Sequence, residues 1–308
     1  AEDCAVFESG MSAISTTLLE FLSPGDYFLY SNPLYGGTYH FVKAVLDRFN
    51  IKGIPFHAFE SEENIERLIE EKGIGDKIKM IYVETPANPT NALVDLEACR
   101  KIADKYSSND SRVMLAVDNT YMGPLWQHPL SHGADIVLYS ATKYIGGHSD
   151  VIAGAALGNK EVMTRIKTLR TFLGNMAGPW TGWLLMRSLE TLKVRMTEQA
   201  RNAEAVANFL NSHEKVEKVH YLGFLDENED SRNYQLFKKQ MTSAGAMISF
   251  DIKGGEKEAF KFLNALKLIK LAVSLGSTES LAEHPSSMTH SDVTQEDKEL
   301  YGIGDGLV

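Results

Sequence analysis

Cysteine is scarce in this 308-residue chain, which holds only Cys4 and Cys99. Two cysteines give no disulfide framework, and no CxxC or Cys/His cluster offers a metal site. Long apolar runs are missing too. No stretch of about 18 apolar residues is available to span a bilayer, and no signal-peptide pattern opens the chain. Basic charge is in deficit: 31 Lys+Arg against 41 Asp+Glu leave a formal net charge of -10. That argues against nucleic acid or a membrane surface as a general partner. No GxGxxG follows a strand candidate, which counts against a nicotinamide-dependent oxidoreductase. Internal repeats and low-complexity tracts are lacking as well. With only two cysteines, a reducing, cytosolic setting is the default.

What remains is ordinary globular composition, 44% hydrophobic and 23% charged, long enough for a large core and two domains. The first half alternates short apolar strand candidates with helical stretches. The strands are expected at 27–30, 54–58, 78–83, 113–117, 135–139 and 151–157. Helices are expected at 13–22, 62–71 and 96–106. Such alternation predicts an α/β fold with a mainly parallel sheet covered on both faces, where ligands sit at the carboxyl ends of the strands. Leu185, Leu189, Leu192, Met196, Ala203, Ala207 and Leu210 keep a helical period, so one long helix is expected over 181–213. Strands at 215–221 and 246–252 and a helix at 256–266 make the second half a smaller α+β domain. The boundary is placed between 187 and 188.

Both ends read as internal to a longer chain. Ala1–Phe7 runs straight into a strand-like piece, and Gly302–Val308 stops as an apolar run begins, whereas natural domain ends are usually polar. The chain is therefore expected to be a fragment.

The richest signal is Ser140-Ala141-Thr142-Lys143-Tyr144, directly after the apolar run Asp135–Tyr139. A lysine at a strand exit can form an imine with an aldehyde, and the neighbouring hydroxyls can grip a phosphate. Those are the two anchors pyridoxal 5'-phosphate requires. Three other polar signals fall at predicted strand exits or helix starts. Asp118 follows 113–117 and can bond a protonated pyridine nitrogen. Asn88, in Glu84-Thr85-Pro86-Ala87-Asn88-Pro89, can be presented to a phenolic oxygen by the two prolines. Ser9-Gly10-Met11 precedes a helix whose first N–H groups can cradle a phosphate. Each has a plainer reading: a solvated lysine, a turn-capping aspartate, a helix cap. Their convergence on one sheet edge is what favours a cofactor site.

Together these runs resemble the Cys/Met-metabolism family of pyridoxal-phosphate enzymes, which includes cystathionine γ-synthase, cystathionine γ-lyase, methionine γ-lyase and O-acetylhomoserine sulfhydrylase. The similarity covers essentially the whole chain. It rests on Asp135–Tyr144, Gly147–Gly154, Tyr35-Gly36-Gly37-Thr38, Val117–Thr120, Ser274-Leu275-Gly276 and His284–His290. It implies the aminotransferase-like fold type I and a cofactor held as an imine by Lys143, which then shuttles protons. It further implies that Asp118 bonds the pyridine nitrogen and that Tyr35 stacks on the ring and acts in acid/base steps. Gly10 and Met11 N–H groups, following Ser9, would hold the phosphate with the Ser140 and Thr142 hydroxyls. Asn88 and Ser274 would border substrate and cofactor. The family assembles as homotetramers, dimers of dimers with shared active sites. Its phosphate-binding and carboxylate-binding arginines would lie outside the 308 residues.

Two positions bear on the branch, and they disagree. Cystathionine enzymes usually carry glutamate just before Ser-Leu-Gly, where this chain has Val273. Methionine γ-lyases tend to have valine there, yet they also tend to have cysteine where this chain has Gly37. The expectation is γ-elimination on a sulfur amino acid such as methionine. The alternatives are γ-replacement on activated homoserine, as in cystathionine γ-synthase or the sulfhydrylase, and cystathionine γ-lyase. A non-catalytic descendant is disfavoured by the intact Lys143, Asp118 and Tyr35.

Overall fold

The computed structural model describes residues 1–308 except Asp110 and Asp292. Among these residues seven strands make the main sheet: β1 Asp3–Phe7, β2 Tyr27–Asn32, β3 Lys52–His57, β4 Ile78–Glu84, β5 Met114–Asp118, β6 Ile136–Ser140 and β7 Gly154–Gly158. Their spatial order is β1-β7-β6-β5-β4-β2-β3. β3 to β6 and β2 pair in parallel, while β7 runs antiparallel to both β6 and β1. Helices α1 Gly10–Phe21, α2 Gly36–Ala44, α3 Glu62–Lys72 and α4 Leu96–Lys105 alternate with the strands. The turn α5 Gly123–Trp126 follows β5, and α6 Lys160–Leu173 follows β7.

Strand alternation sorts the core into two layers. Tyr30, Met80, Tyr82, Ala116 and Leu138 face α1 and α6. Leu29, Ile81, Val83, Val117 and Val137 face α3 and α4. Continued by one step, the first face ends in Glu84, Asp118 and Ser140. Three polar side chains therefore crown one apolar face at its carboxyl edge. β1 points the same way as β6, because each pairs antiparallel with β7, so the Ser9–Gly10 loop reaches that edge too.

The single helix expected over 181–213 is two helices, α7 Pro179–Leu189 and α8 Leu192–Asn211. Apolar periodicity survives the break, which is why spacing alone misses it. Arg195 seals it, donating to the Ser188 carbonyl at 2.9 Å and to the Tyr144 carbonyl at 2.8 Å. The remainder comprises β8 Val216–His220, α9 Ser231–Gln240, β9 Ser249–Ile252, α10 Glu256–Ala265, β10 Lys270–Leu271, β11 Leu281–Ala282 and α11 Gln295–Leu300. β8 and β9 pair antiparallel, and with α8 and α10 they bury a separate cluster around Ala207, Tyr221, Phe250 and Ala259. The strand expected from 246 begins at Ser249, and β7 begins at Gly154 rather than 151.

Candidate active site

The site grows from the loops at the carboxyl edge. Ser9 caps α1, its hydroxyl accepting from the Ser12 N–H at 3.0 Å. This starts the helix at Gly10 and leaves its first N–H groups without intrahelical partners, an anion cradle strengthened by the helix dipole. Ser140 closes the cradle. A Cβ built on Gly10 would fall 2.9 Å from Ser140 Cβ and 3.1 Å from its Oγ, so α1 starts hard against the β6 exit.

Lys143 follows in a turn closed by its own N–H donating to the Ser140 carbonyl at 3.1 Å. Its ammonium donates to Ser274 Oγ at 3.1 Å, which joins the two segments read separately from sequence. Burial lowers the Lys143 pKa, and the charge of Glu283 opposes that shift. A less basic amine is more often unprotonated, which a nucleophile or proton carrier needs. Thr142 sits beside it, but its hydroxyl is engaged with Ala153, accepting from that N–H at 3.0 Å and donating to that carbonyl at 3.2 Å.

Asp118 is buried at the end of β5. It accepts from the Thr120 N–H at 3.0 Å, and the Tyr82 hydroxyl lies 3.4 Å away. Burial raises its pKa, partly offset by the Thr120 contacts. A buried carboxylate without a cation nearby is costly, and a protonated ring nitrogen is the partner that would relieve it. Glu84 is Asp118's neighbour in register. Burial, then the nearby Asp118, pushes Glu84 up to about 8. Tyr35 has an exposed ring just before α2, and Asn88 is part-buried after β4. Val273 is half exposed beside Ser274. A cavity of about 440 Å³ is lined by Thr142, Ser149, Val151 and Ser274 among others.

Sequence reasoning passed over Tyr82, Glu84, Thr120 and Glu283. Thr120 Oγ1 accepts from the Ser140 N–H at 2.7 Å and so ties the acid's loop to the lysine's strand. Tyr82 and Glu84 share a strand face with each other and with Asp118 across the register, and that alternation was the signal available. Glu283 accepts from Thr289 Oγ1 at 3.0 Å; nothing in its local spacing marks it.

A desolvated lysine amine, a buried acid one strand away and an anion cradle at a helix N-terminus fit pyridoxal 5'-phosphate in amine, nitrogen and phosphate alike. Fold and site thus define the class, a pyridoxal-phosphate enzyme with the aminotransferase-like α/β architecture. More narrowly, the chain belongs to the family described as Cys/Met metabolism PLP-dependent enzyme, whose model matches residues 1–308. It is 43% identical over 302 residues to L-methionine γ-lyase of Fusobacterium nucleatum subsp. nucleatum, covering 97% of this chain and 73% of that protein. It is 40% identical over 309 residues to human cystathionine γ-lyase, covering 100% of this chain and 73% of the relative. The crystal structure of metB from Corynebacterium glutamicum superposes with a TM-score of 0.89 at 36% identity, covering 100% of this chain and 75% of that one.

Proposed function

We propose that this protein is a methionine γ-lyase-like enzyme, which splits methionine and water into methanethiol, 2-oxobutanoate and ammonia. The observation that carries the proposal is the pairing of Lys143 with Ser274 at 3.1 Å, immediately next to Val273. The amine that would move protons is thereby set against a segment whose neighbouring side chain is apolar. A thioether tail suits such a position, whereas a second ammonium there would lack a partner.

When bound, pyridoxal 5'-phosphate supplies an aldehyde that condenses with amines and a ring that accepts the electron pair released at the substrate α-carbon. This chain's residues do the rest. Gly10 and Met11 N–H groups, with the Ser140 hydroxyl, would hold the phosphate. Thr142 would join them only by giving up its bond to the Ala153 carbonyl. Asp118 holds the proton on the ring nitrogen. Lys143 anchors the group, then takes the α-proton through its Nζ and delivers it elsewhere on the substrate. Tyr35 would lie against the ring and supply a hydroxyl for a further proton transfer, with Asn88 and Ser274 bordering the substrate.

The same proposal includes a division near 187–188 between the cofactor-binding part and a smaller C-terminal part, supported by the separate cluster around Ala207 and Phe250. It also includes a homo-oligomer, a tetramer built from dimers that share active sites. Phe172, Trp180, Met186 and Val194 are 79%, 78%, 65% and 72% exposed. So much apolar surface on α6 to α8 favours a covering partner. A cytoplasmic location fits the unpaired thiols of Cys4 and Cys99. Among the described residues, no helix is long and apolar enough to cross a membrane.

The test is to incubate the full chain with pyridoxal 5'-phosphate and L-methionine, for wild type and Lys143→Ala. Oxoacid and thiol from the wild type alone support the lyase. A new thioether from activated homoserine and a thiol, with methionine untouched, would replace it with γ-replacement.

A further inference from the structure

Glu84 is a buried ionisable group for which the reaction has no use. It is 6% exposed and stands beside Asp118 in the register of β4 and β5. Two carboxylates side by side in a core cost stability unless each is held by donors. Asp118 looks toward Thr120 and Tyr82. Glu84 has different partners: its Oε2 accepts from the Tyr35 N–H at 2.8 Å, and its Oε1 from the Asn88 N–H at 3.3 Å. The Glu84 backbone is itself pinned, its N–H donating to Ser31 Oγ at 3.0 Å on the neighbouring strand.

The two residues it grips come from different loops, one after β2 and one after β4, 53 positions apart in the chain. Both carry side chains with roles at the cofactor ring in the proposed function. Tyr35 has no side-chain cap of its own at the start of α2. The Glu84 carboxyl supplies an acceptor at that end instead.

We propose that Glu84 is a positioning residue that locks Tyr35 and Asn88 into one unit, one carboxyl oxygen on each backbone amide. The assignment rests on the function proposed above. The sheet fixes Glu84, Glu84 fixes the two loops, and the loops set the aromatic ring and the amide at the spacing the cofactor ring requires. A displacement of about 1 Å at such a site costs about 100-fold in rate.

Glu84→Gln keeps the volume but offers one acceptor oxygen instead of two. Amide-resolved hydrogen exchange on the cofactor-free protein should show faster exchange at Tyr35, Asn88 or both, with Ile81 and Val83 in β4 unchanged. In the holoenzyme, kcat for methionine should fall by about 10- to 100-fold, with a smaller change in KM and an altered circular dichroism band of the bound cofactor. If the glutamine variant fails to fold, Glu84→Asp, which keeps the carboxyl group and withdraws both oxygens by one methylene, should give the same pattern. Unchanged exchange would overturn the proposal, as would faster exchange with kcat, KM and the cofactor band all at wild-type values. A wild-type protein that neither binds pyridoxal phosphate nor forms oxoacid would instead sink the parent function, and this assignment with it, whatever the exchange data show.

Discussion

Glu84 and Asp118 end adjacent parallel strands in register, both buried, and they face different partners. One holds backbone amides of two loops, and the other waits at the lysine's edge for a cation. Their proximity has a measurable consequence. Burial and the nearby Asp118 push Glu84 from an ordinary 4.5 up to about 8. Between those values the folded protein keeps a proton that the unfolded chain has lost. Its contribution to stability is therefore whole below about 4.5 and disappears as pH rises through about 8. His290 works in the opposite sense at lower pH, since burial lowers it from 6.5 to about 4. The clean window is 6.5 to 8. Thermal unfolding of the cofactor-free protein should show wild type losing more stability across that window than Glu84→Gln, in which the other groups cancel.

Asp118→Asn should fold and bind cofactor weakly. The amide keeps the shape but cannot hold a proton on a ring nitrogen, and removing one such electrostatic partner costs about 100- to 1000-fold in kcat. Burial raises the Asp118 pKa, and a cation beside the carboxylate would oppose that shift. Cofactor affinity measured by absorbance titration should therefore fall with kcat. Affinity and kcat at wild-type levels would remove Asp118 from the site.

Gly10→Ala tests the cradle without touching a reactive group. The added methyl would lie 2.9 Å from Ser140 Cβ and 3.0 Å from its Cα, and backbone cannot step aside as a flexible side-chain tip can. Overpacking of this kind costs about 1–3 kcal/mol. The cofactor-free protein should lose stability to that extent. Affinity for pyridoxal phosphate should drop further than affinity for pyridoxal, which lacks the phosphate.

Much of this was legible in the chain because the strands announce themselves. β4, β5 and β6 are apolar runs buried on both faces, and spacing finds each to within a residue or two. The reading stops at Val83, Val117 and Tyr139, where apolar character ends, whereas each strand continues one residue into Glu84, Asp118 and Ser140. Lys143 and Asp118 were visible as polar residues just past such runs. Glu84 was not, since its meaning depends on the backbone of Tyr35, which lies 49 residues earlier. The junction of α7 and α8 was hidden for a related reason. Apolar spacing records which face is buried, while the break depends on where a guanidinium finds a carbonyl, and Arg195 reaches Ser188 from seven residues away.

Val273→Glu addresses substrate choice. Val273 is 51% exposed and adjoins Ser274, the residue that meets the Lys143 ammonium. Cystathionine carries a second ammonium on its far arm, and methionine ends there in a methyl group. An apolar side chain offers that ammonium nothing in exchange for its water, while a glutamate would meet it with a charge-assisted hydrogen bond. Because the position is half exposed, solvent screens the pair and the gain is moderate. The ratio of kcat/KM for cystathionine to that for methionine should rise by about tenfold, with most of the change on the cystathionine side. Lys143 itself is untouched, so the visible absorbance of bound cofactor should be unaltered, which separates a change of specificity from damage to the site. A ratio that stays put with the absorbance intact would mean that the far arm of the substrate does not pass Val273, and that selectivity is set on another wall of the cavity.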